Sequence, residues 1–156
     1  MVFVPARRCL GEDRVLVLKK TMPELNLPLD HIGIAVPDIE TAISDYARSF
    51  GLKVRYREKV QQQYTEIAFL TLANTQIELL APLNKQGLIK KFLDTRGPGL
   101  HHICFAVSDI EAELNRLKKL GYELIDSKPR KGAENTLIAF IHPKSMGGVL
   151  LELCQH

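Results

Sequence analysis

The stretch LDHIGIAVPDIE, residues 29–40, recurs in a related form as LHHICFAVSDIE, residues 100–111. At this spacing of 71 residues His31 stands opposite His102, and Asp38 stands opposite Asp109. The tripeptide IAF, at 67–69 and again at 138–140, keeps the same spacing. Similar segments at a fixed spacing indicate an internal repeat. The sequence therefore predicts two copies of one folding unit, produced by duplication.

Each copy has the pattern of a strand, then a helix, then further strands. In the first copy, Ile32, Ile34 and Val36 alternate with other residues, which is typical of a strand with two different faces. Asp38 is a suitable N-cap and Gly51 a suitable helix stop. Between these two lie apolar residues at helical spacing: Ile39, Ala42, Ile43, Tyr46 and Phe50. The second copy repeats this order from Asp109 to Gly121.

The repeat divides the chain into four parts. Residues 28–84 form the first module and residues 100–156 the second, while residues 85–99 contain a short linking helix and a Gly-Pro-Gly loop. Residues 1–27 are interpreted as an N-terminal extension without a catalytic role, or as the product of an upstream start, with Met22 as the alternative start. A mitochondrial presequence is the less favoured interpretation, because this segment contains three acidic residues.

Composition excludes several classes of protein. The hydrophobic fraction of 46% allows a buried core, and the net charge of +3 gives no indication of nucleic-acid binding. No apolar run approaches the ~20 residues that span a bilayer, so no membrane segment is expected. The three cysteines, Cys9, Cys104 and Cys154, lack paired spacing, which favours a reducing compartment. The cytoplasm is expected, with the mitochondrial matrix as the alternative.

Strand alternation predicts which side chains share a face. One face should pack against the helices, through Ile32, Phe69, Ile77, Leu79, Ile103, Phe140, Leu151 and Leu153. The opposite face should be small and polar, with His31, Gly33, Ala35, Glu66, Ala68, Glu78, His102, Cys104, Ala106 and Glu152. His101 is expected to point away from this second face and to have a structural or supporting role. Small residues beside His and Glu leave room for a concave site.

Four residues of the polar face form a predicted metal site. His31 and Glu78 come from the first copy, and His102 and Glu152 occupy the equivalent positions of the second. A single strand histidine is more often a hydrogen-bonded core residue than a ligand. The duplication favours the ligand interpretation, because both copies keep the pair and an unpaired buried Glu is costly. Two imidazoles and two carboxylates suit a divalent ion such as Co, Mn, Ni, Fe or Zn.

The segments HIGIAVPDIE, IELLAPL, GLHHICFAVSDIE and HPKSMGGVLLEL resemble the methylmalonyl-CoA epimerases of the vicinal oxygen chelate superfamily, over about residues 28–155. The resemblance implies an α+β fold in which two βαβββ modules form an open, mostly antiparallel sheet around a metal, in a homodimer. It places the metal ligands at His31, Glu78, His102 and Glu152. The family's catalytic Glu, which some members lack, falls on Glu66. Two loops, residues 61–64 and 132–135, depart from the family pattern.

The implied reaction interconverts the 2R and 2S forms of methylmalonyl-CoA, an acyl-CoA substrate, by removing the C2 proton and returning one to the opposite face. Glu66 and Glu152 are the expected proton-transfer residues. Alternatives on the same scaffold are a glyoxalase I-like lyase and an extradiol dioxygenase. A fourth possibility is a binding protein that holds a small molecule without turnover. Two Glu ligands and the HPK motif at 142–144 favour the epimerase.

Overall fold

The computed structural model describes residues 27–156, and in that part of the chain eight strands form a single sheet. Their bounds are Leu29–Ala35 (β1), Val54–Val60 (β2), Thr65–Thr71 (β3), Gln76–Pro82 (β4), Gly99–Ala106 (β5), Arg130–Lys131 (β6), Leu137–Ile141 (β7) and Leu151–Gln155 (β8). The order across the sheet is β2-β3-β4-β1-β5-β8-β7-β6. The two copies therefore meet at the centre, where β1 pairs with β5.

Three α-helices occur in the described residues: Ile39–Phe50 (α1), Leu88–Arg96 (α2) and Ile110–Lys119 (α3). The side chain of Asp38 accepts a hydrogen bond from the backbone N–H of Thr41 at 2.7 Å, and Asp109 accepts one from Ala112 at 2.9 Å. Gly51 ends α1 in the left-handed conformation, with φ of 68°. The predicted caps are confirmed, because both aspartates satisfy N–H groups that the first helical turn leaves unpaired.

The predicted α+β fold with a mostly antiparallel sheet is also confirmed. The pairs β1–β4 and β5–β8 are parallel, whereas the β1–β5 pair and the outer pairs are antiparallel. Each parallel pair joins the first and last strands of one copy. The first and last strands of both copies, which carry the predicted ligands, are thereby brought together in the middle of the sheet.

Helices α1 and α3 pack on one face of the sheet in two equivalent clusters. Helix α1 packs Ile39 against Leu70 and Leu79, and α3 packs Leu114 against Ala139 and Leu153. A further cluster places Ile89 of α2 against a group on the other side of the sheet, Ala35, Ile67 and Leu80. The two main clusters fix the sheet from one side and leave the opposite side for a cavity.

The third strand of each copy has the opposite phase from the prediction. Ala68 and Ala139 face the helices, whereas Phe69 and Phe140 lie on the cavity side. The ring of Phe69 lies edge-on to His31, with centroids 5.4 Å apart, and Phe140 lies edge-on to His102 at 5.7 Å. Alternation could not decide the phase, because the tripeptide IAF is apolar at every position. The two rings instead form walls around the histidines.

Among the residues that the structure describes, no helix has the length and apolar character needed to cross a membrane.

Candidate metal centre

The four predicted ligands come from the four central strands. His31 lies on β1 and His102 on β5, while Glu78 lies on β4 and Glu152 on β8. Backbone pairing sets them side by side: Gly33 of β1 is the partner of both Glu78 and His102. Cys104 of β5 pairs with Glu152 in the same way. The register of the sheet, and not a local motif, therefore brings the four side chains to one point.

His31, Glu78 and His102 each place one ligating atom within 4.8 Å of the others, and Glu152 lies beside both histidines. His31 Nε2 is 3.0 Å from His102 Nε2 and 3.6 Å and 3.7 Å from the carboxylate oxygens of Glu78 and Glu152. His102 Nε2 is 3.3 Å and 2.9 Å from the same two oxygens. Ligands that bind one divalent ion at ~2.0–2.2 Å stand about 3–4 Å from one another, depending on the angle between them. The donor set fits a divalent metal in both geometry and chemistry.

Burial and charge make the centre a strongly coupled cluster. All four side chains are buried, with 2% of His102 and 4% of Glu152 exposed. Burial opposes protonation of His31, but the hydrogen bond to Asp30 and the charges of Glu152 and Glu78 outweigh it and raise its pKa to about 10. Burial also opposes protonation of His102, yet hydrogen bonds to Glu152 and Glu78 raise its pKa to about 9. In the metal-free protein the protonated rings of His31 and His102 therefore balance the charges of Glu78 and Glu152, a role that a metal ion would otherwise take.

The pKa of Glu152 is lowered, whereas those of the two histidines are raised. Burial alone would raise its pKa, but the hydrogen bonds from His102 and His31 lower it to about 2. The carboxylate is therefore ionised at every physiological pH. An ionised carboxylate is the form that a divalent cation binds.

A glycine makes room for the second histidine. A Cβ atom at Gly33 would lie 2.2 Å from Cε1 and 2.4 Å from Nδ1 of His102. Carbon atoms in contact normally stand ~3.5–4.0 Å apart, so no side chain fits at this position. The small residue on the predicted polar face is required by the packing of a ligand ring.

A second layer of contacts holds the outer nitrogens of both histidines. Asp30 Oδ1 lies 2.7 Å from His31 Nδ1, and His101 Nδ1 lies 2.9 Å from His102 Nδ1. His156 Nε2 in turn lies 2.6 Å from Asp30 Oδ2. The prediction that His101 points away from the cavity is wrong, because the β1–β5 pairing is irregular there. Sequence reasoning overlooked Asp30 and His156, although Asp30 stands where the repeat places His101.

Glu66 is not brought to the centre. Thr65, Ile67 and Phe69 of β3 line the cavity, and Glu66 points to the helix side. Its Oε1 accepts a hydrogen bond from Arg57 Nε at 2.9 Å. The same guanidinium also pairs with Glu40 of α1. Glu66 therefore lies apart from the four predicted ligands, because the structure reverses the strand phase on which its predicted proton-transfer role depended.

A cavity of about 1130 Å³ opens over the metal centre. Apolar walls come from both copies, through Ile67, Phe69, Ile138 and Phe140. Basic groups stand among the lining residues at Lys91, Arg96 and Arg130. Arg96 lies over the ring of Phe92, and Arg130 lies over that of Phe140, at 5.8 Å and 5.3 Å from the ring centres. The volume suits a ligand much larger than the metal site alone.

The two described cysteines are part of the hydrophobic packing. Cys104 and Cys154 are buried, carry free thiols and pack with Ile138. The hydrogen bond to Cys154 and burial raise the pKa of the Cys104 thiol far above its usual range. Cys9, Met22 and the rest of the expected extension, apart from Leu27, lie outside the described residues.

Comparison with known proteins connects this geometry to a family. The family model of the glyoxalase/bleomycin resistance protein/dioxygenase superfamily matches residues 30–140. The chain is 40% identical over 129 residues to ethylmalonyl-CoA/methylmalonyl-CoA epimerase of Cereibacter sphaeroides, covering 81% of this chain and 96% of the relative. It is 38% identical over 128 residues to mitochondrial methylmalonyl-CoA epimerase of Homo sapiens, covering 81% and 73%.

A solved structure shares the fold as well. It is a methylmalonyl-CoA epimerase in complex with methylmalonyl-CoA and NH4+. The TM-score is 0.79 at 30% sequence identity, and the match covers 83% of this chain and 94% of that one. The similarity therefore extends over most of the chain and nearly the whole of the solved structure.

Proposed function

Because this chain belongs to the glyoxalase/bleomycin resistance protein/dioxygenase superfamily, we propose that it is a metal-dependent epimerase that interconverts (2R)- and (2S)-methylmalonyl-CoA. The convergence of two histidines and two glutamates beneath a large cavity is the observation that carries the proposal. The names of the relatives, which act on methylmalonyl-CoA, support the same substrate.

His31, Glu78, His102 and Glu152 would hold the divalent ion through the Nε2 atoms and carboxylate oxygens that already converge. When bound, such an ion acts as a Lewis acid and stabilises negative charge on a carbonyl oxygen of the substrate. This donor set accommodates Co, Mn, Ni, Fe or Zn, because imidazole and carboxylate together suit all five.

The proton transfers are assigned to Glu152 and Glu78. Epimerisation needs a group that removes the C2 proton and a group on the other side that returns one. Glu152 reaches the cavity from β8 and Glu78 from β4, on opposite sides of the central β1–β5 pair. One carboxylate takes the proton while the C–H electron pair delocalises into the thioester. The other group enters the step as a carboxylic acid and donates that proton to the opposite face of C2, so the two groups have exchanged protonation states when the product leaves.

The cavity walls suit an acyl-CoA. Ile67, Phe69 and Phe140 exclude water from the reacting carbon, which strengthens the electrostatic interactions there. Lys91, Arg96 and Arg130 supply positive charge for the phosphates of the coenzyme. Both halves of the duplication contribute to this pocket, so the substrate would lie across the pseudo-symmetric centre.

Solvent exchange tests the proposal directly. In D₂O the purified protein with Co²⁺ should place deuterium at C2 of methylmalonyl-CoA, which mass spectrometry detects as a gain of one mass unit. Glyoxalase activity is measured in parallel with the hemithioacetal of methylglyoxal and glutathione, and dioxygenase activity with a catechol and iron. Absence of C2 exchange under metal saturation, with turnover in either parallel assay, would replace the epimerase proposal.

The exposed apolar side chains and the free thiols support two further proposals, on assembly and on location. We infer a homodimer, because several large apolar side chains such as Phe50 and Leu88 are exposed at 73% and 76% on the single chain. We place the protein in the cytoplasm, since the free thiols of Cys104 and Cys154 fit a reducing compartment. Light scattering during gel filtration measures the first inference, and imaging of a carboxy-terminal fluorescent fusion measures the second.

A further inference from the structure

The central strand pair contains two matching irregularities, one in each copy of the repeat. Leu29 pairs with Phe105 and His31 with Cys104, so Asp30 is an extra residue on β1. Gly33 pairs with His102 and Ile34 with Leu100, so His101 is an extra residue on β5. Asp30 and His101 occupy equivalent positions in the duplication. A bulge re-aims the side chain of the extra residue, and both side chains line the cavity beside the next histidine.

Both re-aimed side chains make the same contact. Asp30 Oδ1 lies 2.7 Å from His31 Nδ1, and His101 Nδ1 lies 2.9 Å from His102 Nδ1. In each case the other ring nitrogen, Nε2, faces the convergence point of the ligands. A histidine that binds a metal through Nε2 must carry its proton on Nδ1, and that proton needs an acceptor. Asp30 offers a carboxylate oxygen to His31, and a neutral His101 that carries its proton on Nε2 offers Nδ1 to His102.

The two acceptors are themselves held in place by different parts of the fold. Asp30 Oδ2 lies 2.6 Å from His156 Nε2, and the Asp30 carbonyl accepts a hydrogen bond from Thr75 Oγ1 at 2.8 Å. The ring of His101 packs edge-on against Phe92 of α2, with centroids 4.9 Å apart. Each acceptor therefore has a fixed orientation towards its histidine.

We propose that Asp30 and His101 are paired positioning residues, each placed by a β-bulge to hold the adjacent metal ligand in the tautomer that offers Nε2 to the ion. His156 extends the Asp30 arm to the end of the chain. The two arms differ in charge, because a carboxylate supports His31 and a neutral imidazole supports His102. An anionic acceptor polarises the ligand ring more strongly, so the Asp30 arm contributes more to metal affinity. This inference rests on the metal centre proposed above.

Metal affinity tests the proposal without reference to turnover. Co²⁺ is titrated into the metal-free full-length protein and followed by calorimetry and by the visible absorption of the bound ion. The substitutions Asp30→Ala and His101→Phe should each weaken binding by ~10–100-fold, the usual effect of losing an outer hydrogen-bond partner. His101→Phe keeps a ring against Phe92 and removes only the acceptor.

Conservative variants separate positioning from a purely structural role. Asp30→Asn and His101→Asn each retain an oxygen that can accept from Nδ1, so both should recover part of the lost affinity and the parent absorption bands. Asp45→Ala and His142→Phe are matched controls, since Asp45 pairs with Arg48 on α1 and His142 accepts from the Lys144 backbone. Both controls should bind Co²⁺ as the parent does.

The outcomes distinguish the positioning roles of Asp30 and His101 from the proposed metal centre. A parent protein that fails to bind Co²⁺ removes the metal centre, and the positioning roles with it. A parent that binds Co²⁺, together with Asp30→Ala and His101→Phe variants of equal affinity and equal spectra, overturns the positioning roles alone. Loss of affinity that the Asn variants do not restore at all has the same consequence, because it indicates a structural defect.

Discussion

Replacing Gly33 by Ala should disable the metal centre while leaving the fold in place. The new methyl group would lie 2.2 Å from Cε1 of the His102 ring. A normal carbon contact is ~3.5 Å or longer, so the ring has to move by about 1.3 Å. Metal–ligand distances tolerate changes of only ~0.2 Å. The displacement is several times that tolerance, and His102 should cease to be a ligand.

The expected magnitude follows from that displacement. Loss of one of four ligands should weaken Co²⁺ binding by ~10²-fold or more, because even an outer contact is worth ~10–100-fold. The strain of the extra methyl group should cost about 1–3 kcal/mol of unfolding free energy. Calorimetric titration with Co²⁺ measures the first quantity, and chemical denaturation of the metal-free protein measures the second.

Ile32→Val on the same strand is the matched control. It removes one methylene group and should cost about 0.5–1.5 kcal/mol of stability, with no contact to the His102 ring. Its Co²⁺ affinity should equal that of the parent. A Gly33→Ala variant that binds Co²⁺ with parent affinity would refute the reasoning, since it would show that the ring of His102 either moves freely or does not bind the ion.

Three further predictions use other parts of the structure. Co²⁺ affinity should rise with pH between about 6 and 9, because His31 and His102, with pKa values raised to about 10 and 9 in the metal-free protein, must lose protons to bind the ion; calorimetry in buffers of different ionisation enthalpy should record up to about two protons released near pH 7. Glu66→Gln should leave Co²⁺ affinity and C2 exchange within about twofold of the parent, because Glu66 pairs with Arg57 away from the cavity; a ~10²-fold fall in exchange would restore its catalytic role. Leu70→Ala should lower the unfolding free energy by about 2–5 kcal/mol, since Leu70 is fully buried against α1, and denaturant titration measures this loss. Calorimetry on the folded variant should find the Co²⁺ affinity of the parent.

The duplication made the centre predictable from sequence. Each copy repeats a histidine on its first strand and a glutamate on its last, so the positions could be aligned without knowledge of the fold. Strand alternation correctly placed Glu78 and Glu152 on the open face, because both are flanked by leucine or isoleucine neighbours. Where polar and apolar residues alternate, the phase of a strand can be read from its sequence.

Strand alternation could not predict the phase of β3 or the two β-bulges. In the segment TEIAF, residues 65–69, the polar Glu66 is followed by three apolar residues. Ala68 packs in the core on the helix side, and Phe69 lines the cavity. Bulges at Asp30 and His101 break the alternation that the prediction relied on. A bulge depends on pairing with a distant strand, and a local pattern cannot reveal it.

A titration of activity against metal tests the central claim most directly. Metal-free protein is supplied with increasing Co²⁺ in D₂O, and the rate of deuterium incorporation at C2 of methylmalonyl-CoA is measured at each ratio. The four-ligand centre predicts a linear rise that stops at one ion per chain, and no exchange in a His102→Ala variant at the same ratio. Full exchange in the metal-free protein, or in that variant, would contradict it.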